Sequence, residues 1–125
     1  MRLVRFGPRG KELPAILTDD GMRRMIPGFA NWDGPFFAQD GLAALEKAVK
    51  AADENSFPEV PEDARWGAPV GRPGKIICIG LNYSDHARES GMQIPSEPIV
   101  FLKASNTMVG PFDAIQIPRG SRKTD

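Results

Sequence analysis

Apolar and polar positions change their spacing several times along this chain, and each spacing predicts a different element. Over the first 26 residues short apolar runs alternate with turn signals: "RLVRF", "GPRG", "LPAIL", "TDDG" and "MRRMI". Period-two patches bounded by Gly, Pro and Asp read as a small three-stranded β-meander. Pro14 cannot donate to a ladder, so the second run is expected at an edge. "GFANWDGPFF" reads as a loop. Leu42, Leu45, Val49 and Ala52 then recur at helical spacing, with Glu46, Lys47 and Lys50 off the stripe. That predicts an amphipathic helix from an Asp40 cap to about Ala52, packed on the meander.

Residues 53–74 lose all periodicity. "DENSFPEVPEDARWGAPVGRPG" is punctuated by Pro58, Pro61, Pro69 and Pro73, and reads as a connector with a boundary near Arg72–Gly74. Beyond it, "KIICI" is apolar on both faces, as is "PIVFLK" at 98–103, which suggests a sheet covered on both sides. A short helix is expected at about 83–90, capped by Asn82 or Ser84 and closed by Gly91. A third strand is expected at "AIQI", 114–117. The chain thus divides into an N-terminal α+β region with its linker, 1–72, and a second region, 73–125. A first region of this size is marginal for independent stability.

Composition narrows the classes. Sixteen basic and sixteen acidic residues cancel and interleave, so no basic stripe exists for nucleic acid. No apolar run approaches the roughly 18 residues of a membrane span, and "MRLVRFG" lacks the apolar core of a secretion signal. A single cysteine, Cys78, inside an apolar run fits a reducing cytoplasm.

The chemistry concentrates just past "KIICIG". His86 is the one histidine, and Glu89 stands three positions on, within reach across one helical turn. A carboxylate that holds one imidazole nitrogen leaves the other free to take a proton from water. Such a pair is more often a surface ion pair than a base, and spacing alone does not decide between them. Lys103 ends the second apolar strand; were the two strands neighbours, it would face the same mouth as His86. Asp85 reads equally as a capping carboxylate, Lys103 as a solvated strand end, and Tyr83 as a core aromatic with its hydroxyl outward. No dinucleotide, P-loop, C-x-x-C, H-E-x-x-H or G-x-S-x-G pattern occurs.

Three blocks, "KIICIGLNYSDHARESG", "EPIVFLKASNTMVGP" and "IPRGSRKTD", in this order and spacing resemble the opening of the catalytic domain of the fumarylacetoacetate hydrolase family. Residues 1–70 more loosely resemble the N-terminal domain that many bacterial members carry. The resemblance implies an α+β, mostly β fold: the meander with one helix, followed by the first strands of a β-roll that is incomplete here. It implies a cytoplasmic enzyme, usually a homodimer, that cleaves a C–C bond in a 2,4-dioxo acid such as an acylpyruvate. Decarboxylation of oxaloacetate, isomerisation and hydration occur in the same family. Carried over by motif, His86 matches the water-activating base, Glu89 its orienting acid, and Lys103 and Tyr83 the substrate side. Asp85 matches a position that ligates metal in some branches.

The resemblance also implies Mg²⁺ or Mn²⁺, with the main carboxylate ligands expected beyond Asp125. Without them the 125 residues are expected to be inactive alone, or to serve as a packing or dimerisation piece. Some members carry arginine where Leu81 stands.

Overall fold

The computed structural model describes residues 1–21, 23–53 and 56–123. Met22, which opens the expected third strand, and Asp125 lie outside the described residues. The fold is α+β and mostly β. Its contacts divide into two compact units, Met1–Arg72 with Met108–Asp125, and Pro73–Thr107.

In the first unit the alternating runs become β1 (Arg2–Phe6), β2 (Leu13–Leu17) and β3 (Arg23–Met25), an antiparallel meander. The connector adds a strand that its sequence pattern does not announce: β4 (Trp66–Gly67) pairs with Arg5 and Phe6 of β1, giving the order β3-β2-β1-β4. The expected edge position of Pro14 is corrected, because β2 is central. β3 pairs β2 only from Ala15 onward, so Pro14, opposite Arg5, stands where that side of the strand is open.

"GFANWDGPFF" is not all loop. Asp33 accepts from the Phe36 amide at 3.3 Å and caps a short helix α1 (Gly34–Ala38), with Pro35 in its first turn. α2 (Gly41–Ala51) follows almost at once. Its buried face is Gly41 and Leu45, with Val49 packed on the core, while Leu42 is 51% exposed. The apolar stripe is therefore rotated from the one expected. Gly41 sets that rotation: a Cβ there would lie 2.6 Å from Phe36 Cε2, and closer still to its carbonyl oxygen.

The core of this unit is Ile16, Ile26, Trp32 and Leu45. Trp32 is fully buried, and its indole N–H donates to the carbonyls of Val4 (2.9 Å) and Ala15 (3.0 Å), fastening the α1 segment across β1 and β2. Beside it runs an ionic chain. Arg5 reaches Glu12 at 3.3 Å, Arg65 reaches Glu12 at 3.1 Å, and Arg65 grips both oxygens of Asp113 at 2.5 and 2.7 Å. Asp113 also accepts from the Gly110 amide at 2.8 Å, so residues 110–113 are tied to the connector. The Arg65 guanidinium holds the Asp113 carboxyl down at about 2.

The second unit is a hairpin and a helix. β5 (Ile76–Gly80) pairs antiparallel with β6 (Ile99–Lys103), Ile76 opposite Lys103 and Gly80 opposite Ile99. Ile77, Ile79, Val100 and Leu102 share one face and are 44–68% exposed. The other face carries Cys78 with Phe101. The covering expected on both sides is not met among the described residues: the first face is open, while Ile76 and Cys78 on the other are half-buried. The expected strand at 114–117 is likewise corrected: these residues pair with no strand among those described, and Ile115 and Ile117 are exposed.

Candidate functional site

Past Gly80 the chain takes one left-handed residue, Leu81 (φ 47°), and enters α3 (Ser84–Glu89) through Tyr83. Neither Asn82 nor Ser84 caps this helix; Tyr83 occupies the cap position in extended conformation without a side-chain bond. Its far end closes as expected. Gly91 adopts φ 65°, its amide donates to the Arg88 carbonyl at 3.1 Å, and the Met92 amide to the Ala87 carbonyl at 2.9 Å. That is a Schellman closure, in which glycine supplies the left-handed residue.

Ala87 is the buried residue of α3. At about 100° per residue, His86 and Glu89 fall within roughly 60° of each other and point away from Ala87. Both are exposed, so α3 presents the imidazole and the carboxylate on one outward face. No hydrogen bond or ion pair joins them among the described residues. The ion pair that does form on α3 is Asp85 with Arg88, at 3.1 Å, both about three-quarters exposed. Tyr83 is 74% exposed, with its ring in solvent instead of a core.

Lys103 does not come to this end. The strands are neighbours, but antiparallel pairing sets Lys103 opposite Ile76, four residues back along β5 from Gly80. At about 3.4 Å per residue that is roughly 13 Å along the strand axis. The expected shared mouth is thereby corrected: a strand's end is legible in its sequence, but the direction of its partner is not.

A cavity of about 320 Å³ does open at the Gly80 end. Ile79, Leu81, Asn82, Ile94, Ser96 and Glu97 are on its wall. Pro95 and Pro98, on either side of Ser96 and Glu97, are the sequence signal that the backbone there is held in a fixed path.

The described residues do not suit a divalent ion. No group of three or more His, Cys, Asp or Glu comes together among them, and the Asp85 carboxylate is engaged by Arg88. Hard cations of this size take six or more oxygen ligands, or a few carboxylates with water. No helix among the described residues is long and apolar enough to cross a membrane.

Comparison with known proteins bears on the whole chain. A profile described as Fumarylacetoacetate (FAA) hydrolase C-terminal matches residues 75–125. A protein provisionally named a hydrolase in Burkholderia multivorans (strain ATCC 17616 / 249) is 47% identical over 126 residues, taking in 100% of this chain and 43% of its own. One named in the same way in Burkholderia ambifaria (strain MC40-6) is 48% identical over 127 residues with the same coverage. In three dimensions the chain is similar to the crystal structure of a protein provisionally identified as HpcE from Mycobacterium smegmatis. The TM-score is 0.68 at 26% identity, over 97% of this chain and 42% of that one. The chain thus spans less than half the length of these relatives.

Proposed function

We propose that this chain, whose residues 75–125 match the fumarylacetoacetate hydrolase profile, is the front portion of a hydrolase of that family that cleaves a C–C bond in a 2,4-dioxo acid of the acylpyruvate or fumarylacetoacetate-like kind. The observation that carries the reading is the shared outward face of His86 and Glu89 on α3, directly after the strand β5. An imidazole can take and return one proton, which suits a general base.

His86 removes a proton from a water molecule, and the hydroxide adds to the 4-oxo carbon. The C3–C4 bond breaks, its electron pair passes to C3 as the enolate of the 2-oxo acid, and the imidazolium returns its proton to C3. The products are one carboxylic acid and one 2-oxo acid. Glu89, one turn along, orients the imidazole once the two side chains close on each other. Lys103 is left outside this constellation by its place opposite Ile76. Among the described residues the carboxylates do not suit Mg²⁺ or Mn²⁺.

The test uses a protein carrying this sequence at the length of its relatives, given acylpyruvates with Mg²⁺ and read by product NMR. His86→Gln is expected to lower kcat by about 10²–10⁴-fold. Glu89→Gln is expected to lower it less. Turnover by His86→Gln within twofold of the unmodified protein refutes the assignment.

A further inference from the structure

We infer that the cavity at the Gly80 end of the hairpin receives the distal end of the substrate, and that this end carries no charge. The inference rests on the 2-oxo acid reading above and narrows its substrate class. At about 320 Å³ the space lies at the lower bound of small-molecule sites, enough for a chain of several carbons. It adjoins the junction from which α3 springs: Asn82, on its wall, precedes His86 by four positions.

Three features define the preference. Ile79, Leu81 and Ile94 supply apolar wall, and the exposures of Ile79 (44%) and Ile94 (69%) leave that wall open to an occupant. Leu81 is held in the left-handed region, where a leucine is strained relative to ordinary backbone. Asparagine or glycine would sit there without that strain. Its bend sets the leucine side of the chain beside the 94–98 loop. Finally, Glu97 is the one charged residue on the wall. Among the described residues no ion pair engages it, and no lysine or arginine lines the cavity to receive a second carboxylate. A terminal carboxylate would enter against Glu97; a methyl would enter freely, and a hydroxyl would find Ser96 and Asn82 as partners. The geometry therefore selects monoanionic 2-oxo acids with neutral tails over dicarboxylates.

The probes are 2-oxopentanoate and 2-oxoglutarate, five-carbon 2-oxo acids that differ in a terminal methyl against a carboxylate. Each is titrated into a ¹⁵N-labelled protein carrying this sequence at the length of its relatives, while the amides of Leu81, Asn82, Ser96 and Glu97 are followed. We expect 2-oxopentanoate to shift them at three- to tenfold lower concentration, as befits one like-charge contact across a partly hydrated gap. Glu97→Lys is expected to reverse the order. Glu46→Lys, the same charge change on α2, is expected to leave the ratio as it was. Equal or tighter 2-oxoglutarate binding, a Glu97→Lys ratio unchanged from the native one, or no shift with either acid at 20 mM each overturns the inference. Because the readout is binding, its failure is separate from failure of the hydrolysis reading, which rests on turnover by His86→Gln.

Discussion

Gly41→Ala sets helix propensity directly against packing. Alanine near the start of α2 would gain up to about 1 kcal/mol over glycine from backbone entropy alone. The structure opposes that gain. The added methyl would lie 2.6 Å from Phe36 Cε2, and nearer still to Phe36 Cδ2 and the Phe36 carbonyl oxygen. A ring can turn away, but a carbonyl belongs to the backbone of α1, and Phe36 packs against Trp32 with ring centroids 4.7 Å apart. Relief therefore requires α1 and α2 to separate by the better part of an ångström at the edge of the core. Overpacking of this kind costs about 1–3 kcal/mol, and a backbone contact belongs at the upper end. The net expectation is a loss of about 1–2 kcal/mol, which for a domain of this size lowers Tm by roughly 5–15 °C. Thermal unfolding followed by far-UV circular dichroism and by tryptophan fluorescence reads it. A Tm equal to or above that of the native chain would show that propensity wins, and that the close approach of the two helices is not what rotates α2.

Two further expectations concern the same unit. Asp40 stands before α2 at φ 56° with no side-chain capping bond, so Asp40→Gly removes strain and loses no hydrogen bond; stability should rise by up to about 1 kcal/mol, and a fall of that size in urea midpoint contradicts the account. The Asp113 carboxyl is lowered from 3.8 to about 2, first by its hydrogen bonds from Arg65 and then by the Gly110 amide. A depressed acid stabilises the fold above its ordinary pKa and loses that contribution as pH falls through the folded value, so the effect is whole above about pH 5 and fades from 4 toward 2. Asp113→Asn should flatten the decline in urea midpoint across that window, and an unchanged decline sinks the reading.

How far these features were legible varies with the kind of signal. The meander was readable because β1, β2 and β3 keep their apolar runs between Gly, Pro and Asp turns. β4 was not, since two residues have no period; Trp66 and Gly67 become a strand only because Arg5 and Phe6 offer an open edge. The helix at α2 is legible as a helix, yet its buried face turns away from Leu42. Apolar spacing counts side chains, whereas the rotation here follows from the absence of one at Gly41. In the second unit His86 and Glu89 could be read from a three-residue interval, which any helical turn converts into a shared face. Glu97 could not, because a carboxylate in a Pro- and Ser-rich loop acquires its place only when the chain folds back over Gly80.

Lys103 shows most plainly what pattern cannot supply. Two apolar strands joined by 18 residues can be paired parallel or antiparallel, and the side-chain period is two in either case. Parallel pairing would have brought the lysine to the end that carries His86; antiparallel pairing sends it to the other. At the Ile76 end it stands roughly 13 Å along the strand axis from the Gly80 end. The exposed face formed by Ile77, Ile79, Val100 and Leu102 makes a different demand, for a cover. With four large apolar side chains 44–68% exposed, the hairpin has more apolar surface in water than a two-stranded ribbon can hold stably. The chain spans only 43% of its curated relatives. That demand therefore falls on residues outside β5, α3 and β6.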